Sequence, residues 1–493
     1  MSQRGWLLAL LVGLVAAAPL AWTPFFASDD GLVHLWRIWE YARTADAVGP
    51  IVRWVPDVAY GYGAPLFSFY NPLAYGLGAG LVGLGLTASA ATRALFALSL
   101  IGSALGAYWL AEAWIGRAAP AAALCAALLY TIAPYRIATV YQRGALAEAL
   151  GLAVAPLVVL CAWRAVERKR VGWVAGLAVA TGAMVLFHTI AALMALPFAG
   201  LVGLARAAER PTGRFGALTR LCLGLALGLA LAATYWLPAL TQQRTVQLER
   251  ARWSGETARF EAGFAWPWEL VQPSLLHDYG RRVDDDQTPL AQRFPRLGGV
   301  ALLALALGLA AGWRARRLRR PTGLVALAAI AASLGLAAPA SLPLWNRVEL
   351  LGAVQLGWRF LALLLLAAIP LAAELGARAG RPRALALALA LLAAAGSMAH
   401  LPLERVEWSA LRERPAELAA YERKDGQFAL GALREYVPVW VATSPQELVL
   451  PSDRPIGDPV APVSAALLGG SSTDRRYEVA AAAPTTVVLD LFY

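Results

Sequence analysis

The chain is poor in charged residues, and this scarcity limits the class of protein it can be. Of its 493 residues only 15% are Asp, Glu, Lys or Arg, whereas 59% are hydrophobic. Soluble domains have about 25% charged and about 45–50% apolar residues, so an ordinary soluble enzyme is excluded. The mean hydropathy of +0.55 and repeated apolar runs predict a polytopic membrane protein instead.

Lysine and cysteine are also scarce. Lys169 and Lys424 are the only lysines among 43 basic residues, and the formal net charge is +11. No segment alternates arginine with aromatic residues in a polar context, which excludes nucleic acid as a partner. The cysteines, Cys125, Cys161 and Cys222, lie in apolar runs without metal-ligand spacing, so we interpret them as packing residues.

Apolar runs of membrane length recur through the first 400 residues. We interpret the first as an uncleaved span, with a cleavable signal peptide as the alternative. The predicted count is eleven spans, or twelve if the glycine-rich segment Pro72–Leu86 crosses the membrane and another span is wrongly assigned. The predicted spans are Trp6–Phe26, Leu95–Trp114, Ala119–Pro134, Leu146–Trp163, Val171–Phe187, Thr189–Ala205, Leu221–Leu240, Gly298–Trp313, Gly323–Ala340, Trp358–Leu375 and Ala384–Met398.

The arginines predict the orientation of these spans. They concentrate in four short connections, 164–170, 206–220, 314–320 and 378–383, which the positive-inside rule places in the cytoplasm. The N-terminus is then cytoplasmic in an inner (cytoplasmic) membrane. The same parity predicts that the loops 27–71 and 241–297, the connection 135–147 and the tail after residue 400 are extracytoplasmic.

Two domains follow from this pattern. Residues 1–400 form an all-α transmembrane domain of about eleven or twelve helices. Residues 401–493 are polar and contain strand-like runs, so we expect a small β-containing extracytoplasmic domain there. Because the strand-like pattern continues to Tyr493, we interpret that domain as incomplete.

The first segment with recognisable chemistry is Ser28–Arg37, with the sequence SDDGLVHLWR. Asp29 and Asp30 stand where the first span leaves the membrane, a position that suits a general base or a metal ligand. If a helix starts after Asp30, His34 and Arg37 lie on one face of it. The alternative is that an aspartate only caps the helix and that His34 is an interfacial residue.

A second segment combines Tyr135–Arg136 with Tyr141–Glu148, YQRGALAE. Parity places it on the same membrane face as Asp29. Arg143 could bind a phosphate through two nitrogens, and Glu148 at the start of an apolar run is costly unless it is paired or functional. An Arg143–Glu148 ion pair, or Glu148 as an acid in the first turn of a helix, remains an open alternative.

Two isolated residues complete the set of candidates. His188 falls at a predicted outward turn between two spans, where a lone histidine is more often structural than functional. Arg359 lies at the outer mouth of a span. It could meet a lipid phosphate or extend to the headgroups, and the sequence favours neither.

Together with Gly49–Pro56 (GPIVRWVP) and Tyr60–Pro72 (YGYGAPLFSFYNP), these segments resemble the GT-C superfamily of polytopic glycosyltransferases. More narrowly, they resemble the bacterial membrane proteins labelled "6-pyruvoyl-tetrahydropterin synthase-related" and their YfhO-like relatives. The resemblance implies an essential acid in the first outer loop, Asp29 or Asp30, and inversion at the anomeric carbon.

These observations predict a glycosyltransferase that transfers a sugar from a polyprenyl-phosphate-linked donor to an extracytoplasmic glycan, lipid or protein. A divalent cation, Mg²⁺ or Mn²⁺, held by Asp29 and Asp30 is an open option. The alternatives are a transporter or lipid flippase, or a non-catalytic envelope scaffold. The predicted catalytic residues are Asp29, Asp30 and Glu148; the predicted substrate-binding residues are His34, Arg37, Tyr141, Arg143, His188 and Arg359.

Overall fold

A computed structural model of the chain has the predicted architecture, a membrane protein built of apolar helices. The structure describes residues 5–22, 25–26, 28–116, 119–247, 264–265, 270, 299–378, 388, 415–425, 430 and 435–439, and the backbone of four strands between 456 and 488. The predicted span Ala384–Met398 and most of the loop 241–297 lie outside the described residues.

Nineteen α-helices are numbered here in chain order within the described residues. They are α1 Gly5–Ala17, α2 Pro19–Trp22, α3 Gly31–Val48, α4 Leu66–Phe69, α5 Leu73–Gly83, α6 Ala88–Ile115, α7 Pro120–Thr131, α8 Pro134–Tyr141, α9 Leu146–Glu167, α10 Val171–Phe187, α11 Thr189–Ala208, α12 Arg214–Leu231, α13 Ala233–Thr241, α14 Gly299–Arg314, α15 Pro321–Ala337, α16 Leu342–Trp345, α17 Glu349–Gly352, α18 Phe360–Arg378 and α19 Pro415–Asp425.

Five helices in the described part of the chain are long and apolar enough to cross a membrane. Two bent helix pairs, at 47° and 87°, raise the number to seven if each pair is one span. Helix α5 has 11 residues and rises only about 17 Å, too little for a hydrocarbon layer of about 30 Å. This length agrees with a segment that does not cross, and the count of eleven or twelve spans stays a prediction.

Proline breaks one run that we predicted to be continuous and begins a new helix at the predicted end of another. The first span is interrupted at Ala18, before Pro19, and α7 is separated from α8 at Ala133, before Pro134. Ala133 has extended backbone angles of −50° and 137°, because the proline ring disfavours helical geometry in the preceding residue. The predicted outer connection 135–147 begins as the fully buried helix α8, and its extracytoplasmic position stays a prediction.

The chain divides into two compact units. The first comprises Met1–Gly31, Thr92–Ala233 and Gly255–Val406. Its helices pack against both near and distant neighbours in the sequence, with α9 against α10 and α11, and α18 against α7, α14 and α15. Large apolar side chains of α1 and α12 remain exposed, among them Leu11 and Leu223, which gives this unit the lipid-facing surface that a membrane protein requires.

One end of the first unit carries the arginine-rich connections. Glu167 at the end of α9 pairs with Arg164 and, at 2.9 Å, with Arg206. Arg206 also pairs with Glu209 at 2.7 Å, and Glu209 accepts hydrogen bonds from the backbone and side chain of Thr322. Ion pairs and hydrogen bonds thus connect the ends of α9 and α11 with the start of α15. Glu148 lies about 28 Å away, at the other end of α9.

The second unit comprises Leu32–Ala91, Thr234–Ser254 and Glu407–Tyr493. Its tail contains the strands β1 (Ile456–Gly457), β2 (Val463–Ser471), β3 (Asp474–Ala481) and β4 (Val487–Val488). β2 and β3 pair antiparallel, with Val463 opposite Ala481, and β1 pairs antiparallel with β4. The extracytoplasmic position of this tail stays a prediction.

A carboxylate from the tail holds a strained turn of the first loop in the second unit. Ala59 and Tyr60 have φ angles of 55° and 61°, a left-handed conformation that is costly for residues other than glycine. Glu422 on α19 accepts hydrogen bonds from both of their backbone N–H groups at 2.8 Å. These bonds between distant parts of the sequence support the turn.

Two further acids lie close to this turn. Asp57 pairs with Arg43 at 3.1 Å, and Glu40 on α3 is fully buried. Burial, followed by the negative charge of Asp57, raises the pKa of Glu40 well above its usual value, although Arg43 partly opposes the shift. When folding raises the pKa of an acid, the protein loses stability as the pH rises above the ordinary pKa of that acid, near 4.5.

The Glu40→Gln variant should therefore gain stability over the wild type as the pH rises. We expect the two proteins to have similar unfolding temperatures at pH 5 and Glu40→Gln to have the higher one at pH 8. The corresponding difference in the free energy of unfolding at pH 8 is about 1 kcal/mol or more. Differential scanning fluorimetry in detergent measures this. Asp46→Asn, an exposed acid on the same helix, is the matched control. An equal difference between Glu40→Gln and wild type at both pH values would contradict the assignment.

Candidate functional site

A buried ion pair forms the centre of the candidate site in the first unit. Arg143 Nη2 lies 2.8 Å from Glu148 Oε2, with 12% and 4% of the side chains exposed. Glu148 also lies in the first turn of α9, so both open alternatives for this pair are present together. Buried charges are costly unless they are paired, and here each partner neutralises the other.

The backbone of Asp29 and Asp30 is hydrogen-bonded to the turn that carries Arg143. The Asp29 N–H donates to the Gln142 carbonyl at 2.9 Å, and the Asp30 N–H donates to the Arg143 carbonyl at 2.8 Å. Asp29 is exposed and Asp30 is half-buried. These two bonds bring the predicted acids Asp29 and Asp30 beside the predicted pair Arg143 and Glu148.

Gly144 makes this close approach of the two segments possible. Its φ angle is +61°, and a β-carbon there would lie 2.5 Å from Ser28 Oγ and 2.6 Å from the Gly31 nitrogen. A side chain would therefore be both strained and in collision with the Asp29–Asp30 turn.

Two aromatic residues surround the ion pair. The Arg143 guanidinium lies 4.6 Å from the centre of the Trp358 ring, within the range of a cation–π interaction. The Tyr135 hydroxyl donates to Glu148 Oε1 at 2.7 Å, and the Tyr135 and Trp358 rings are 5.9 Å apart. We did not predict either residue as part of the site, although both stand in segments singled out in the sequence.

Arg359 follows Trp358 directly and faces its own loop. Its Nη1 donates to the Val354 carbonyl at 2.9 Å and to Gln355 Oε1 at 2.7 Å. These bonds fix the guanidinium at the start of α18, and its contact with a lipid phosphate or with headgroups stays a prediction.

His188 and Tyr141 have structural partners in the first unit. His188 Nδ1 accepts a hydrogen bond from the Ala191 N–H at 3.1 Å and so caps α11. Burial lowers the pKa of His188 to about 4, which keeps the ring neutral and able to accept this bond. The Tyr141 hydroxyl donates to the Ala16 carbonyl at 2.6 Å. Substrate contact by either residue stays a prediction.

His34 and Arg37 belong to the second unit and meet there as the helical spacing predicts. His34 Nδ1 lies 2.7 Å and Arg37 Nη1 lies 3.4 Å from the Tyr75 hydroxyl. Arg37 also donates to the Leu430 carbonyl and stacks on Tyr70 at 3.9 Å. These contacts give both residues a structural role in their unit, and donor binding by them remains a prediction.

The candidate site does not offer a full ligand set for a divalent cation. No group of three His, Cys, Asp or Glu side chains within the described ranges could hold a metal ion. Asp29 and Asp30 supply two carboxylates, while Glu148 is engaged by Arg143 and Tyr135. We therefore derive no step through Mg²⁺ or Mn²⁺.

Comparison with known proteins agrees with this architecture. Residues 67–264 match the model of a family described as "6-pyruvoyl-tetrahydropterin synthase related domain; membrane protein". The structure is similar to that of the Archaeoglobus fulgidus oligosaccharyltransferase in its apo form, with a TM-score of 0.52 at 14% identity, over 90% of this chain and 62% of that chain. The chain has a GT-C-like membrane fold.

Two other solved structures are similar at lower scores. One is the arabinofuranosyltransferase AftD from Mycobacteria, with a TM-score of 0.46 and 18% identity over 81% of this chain and 26% of that chain. The other is ArnT from Cupriavidus metallidurans bound to undecaprenyl phosphate, with a TM-score of 0.37 and 16% identity over 86% of this chain and 89% of that chain. The chain thus spans about a quarter of AftD and about three fifths of the oligosaccharyltransferase. No curated protein matches the sequence.

The role of Gly144 is tested by comparison with Gly213, which has a φ angle of +70° but no other atom within 4 Å of the position that a β-carbon would take. Gly213→Ala should cost about 1–2 kcal/mol of stability from the left-handed backbone alone. Gly144→Ala should cost more, because it also displaces the Asp29–Asp30 turn. Unfolding temperatures of the two purified variants measure the difference, and equal losses would mean that the turn is not packed on Gly144.

Proposed function

We propose that the chain is an integral membrane glycosyltransferase of the inner membrane that transfers a sugar from a polyprenyl-phosphate-linked donor to an extracytoplasmic glycan, lipid or protein. The observation that carries the proposal is the convergence of four residues predicted from separate segments. Asp29 and Asp30 are bonded to the same short turn that carries Arg143, and Arg143 pairs with Glu148.

An aspartate of the first loop is proposed as the general base. Asp29 is exposed and stands at the edge of the site, where its carboxylate could accept the proton of an acceptor hydroxyl as that oxygen attacks the anomeric carbon. Asp30, half-buried next to Arg143, could orient the acceptor. Attack from the side opposite the leaving group would invert the anomeric centre, as the resemblance to GT-C enzymes implies.

Arg143 is proposed to stabilise the departing lipid phosphate. Its Nη2 is held by Glu148, while its Nη1 has no hydrogen-bond partner within the described residues. A guanidinium binds phosphate oxygens through such N–H groups, and negative charge grows on the phosphate as the glycosidic bond breaks. Arg359 at the start of α18, together with Tyr141 and His188, completes the proposed donor site, and Glu148 orients Arg143.

The class of donor follows from the membrane face of the site. Glu148 and Trp358 stand at the starts of α9 and α18, whereas the far ends of these helices carry Glu167 and Glu374, which pair with arginines of the charged connections. If those connections are cytoplasmic, the site faces the extracytoplasmic side. Nucleotide sugars are not supplied there, and the sequence has no glycine-rich nucleotide-binding loop, which favours a lipid-linked donor.

The rival functions make different demands on the structure. A non-catalytic scaffold requires no convergence of Asp29, Asp30, Arg143 and Glu148, so their proximity disfavours it. A transporter or lipid flippase is expected to use broken helices with ionisable groups near the midplane. The break between α7 and α8, with buried Arg136, is the feature that keeps this second candidate under consideration.

The separate variants Asp29→Asn and Asp30→Asn test the proposed function. Removal of the base should lower the transfer rate about 10²–10⁴-fold, and removal of the orienting acid should lower it less. The assay supplies purified protein in detergent with a panel of synthetic undecaprenyl-phosphate-linked hexoses and pentoses and an envelope extract as the source of acceptor hydroxyls. Mass spectrometry follows the release of undecaprenyl phosphate.

Asp46→Asn, an exposed acid outside the site, is the control for expression and should behave as the wild type. If both site variants release undecaprenyl phosphate at the wild-type rate, the assignment of the base is wrong. If the wild type moves an intact lipid-linked sugar between the leaflets of a vesicle without releasing undecaprenyl phosphate, the flippase alternative is correct.

A further inference from the structure

Tyr135, Glu148, Arg143 and Trp358 form a closed ring of contacts. The Tyr135 hydroxyl donates to Glu148 Oε1 at 2.7 Å, and Glu148 Oε2 faces Arg143 Nη2 at 2.8 Å. The Arg143 guanidinium lies on the ring of Trp358, which packs against the ring of Tyr135. Tyr135 is fully buried, and Glu148 and Trp358 are each 3% exposed. The Arg143 side chain is 12% exposed, so Arg143 is the most accessible member of the ring.

This ring determines how many nitrogens Glu148 can occupy. A free carboxylate next to an arginine tends to form two parallel hydrogen bonds, one from each terminal nitrogen. Here Oε1 is already engaged by the Tyr135 hydroxyl, so only Oε2 faces the guanidinium. Arg143 Nη1 is left without a hydrogen bond among the residues described.

We propose that Tyr135 is a positioning residue whose hydroxyl restrains Glu148 to a single contact with Arg143, so that Nη1 of Arg143 stays available to an anionic phosphate oxygen of the substrate. This inference rests on the proposed function and adds a residue to it. Without the hydroxyl, Glu148 turns both oxygens to Arg143, and the phosphate must compete with the carboxylate for the same guanidinium.

The chain offers a matched control for the loss of one buried hydroxyl. Tyr130 at the end of α7 is 3% exposed, and its hydroxyl donates to the Leu152 carbonyl at 2.7 Å. It has no contact with the ring formed by Tyr135, Glu148, Arg143 and Trp358 among the contacts described above. Tyr130→Phe and Tyr135→Phe therefore each remove a buried tyrosine hydrogen bond, but only the second frees an oxygen of Glu148.

The decisive measurement is the affinity of the purified protein for undecaprenyl phosphate, a ligand that carries the phosphate but undergoes no transfer. Tyr135→Phe should weaken this binding about tenfold, whereas Tyr130→Phe should leave it unchanged. In the transfer assay, the loss should appear in KM for the lipid-linked donor more than in kcat. Tyr135→Phe retains the ring on Trp358, and its unfolding temperature should match that of Tyr130→Phe.

A second pair of variants separates positioning from mere packing. Glu148→Gln removes the charge that competes for Arg143, so adding Tyr135→Phe to Glu148→Gln should weaken undecaprenyl phosphate binding no further. Wild-type affinity in Tyr135→Phe, or the same tenfold loss in both backgrounds, would overturn the role of Tyr135 and leave the proposed function intact. If the wild type neither binds undecaprenyl phosphate nor releases it from any donor, the proposed function fails, and this inference fails with it.

Discussion

The candidate site depends on one interaction, the buried ion pair between Arg143 and Glu148. An arginine and a glutamate taken out of water each cost several kcal/mol unless they compensate one another, and at the boundary of a membrane the cost rises further. The pair therefore has to form, and the residues around it have to satisfy its remaining donors and acceptors. Tyr135 takes one oxygen of Glu148, and Trp358 covers the face of the guanidinium.

The position of the pair is set by the backbone before and after it. Pro134 ends one helix and starts another, so Tyr135 and Arg143 stand at the two ends of a short buried segment. Gly144 then lets the chain turn against Ser28 and Gly31, and the N–H groups of Asp29 and Asp30 bond to the carbonyls of that turn. Acids and cation from different parts of the chain thus share one small region, as an acid–base reaction at a phosphate-linked sugar requires.

Much of this arrangement could be predicted because it is local or follows from the membrane. The apolar runs predicted the helices, and the i, i+3 spacing predicted that His34 and Arg37 share a face, where both reach Tyr75. Contacts across long sequence separations could not be predicted. Trp358 lies far along the chain from Arg143, and Glu422 supports Ala59 and Tyr60 from more than 360 residues away. Such contacts depend on how the helices pack against one another, and this packing cannot be predicted from hydrophobic periodicity or residue spacing. Pro19 signalled the break in the first span, but the length of the apolar run led us to predict a continuous helix there. The break before Pro134 coincides with the predicted end of the span Ala119–Pro134.

We propose above that the site consumes lipid-linked sugars on the predicted extracytoplasmic side. In the most direct measurement, the purified protein is reconstituted in liposomes with an envelope extract as the source of acceptors. It is offered either undecaprenyl-phosphate-linked sugars or the corresponding nucleotide sugars, and the loss of each donor is followed by mass spectrometry. The account predicts that at least one lipid-linked sugar is consumed with release of undecaprenyl phosphate, while every nucleotide sugar is left intact. Consumption of a nucleotide sugar with all lipid-linked donors unchanged would contradict it.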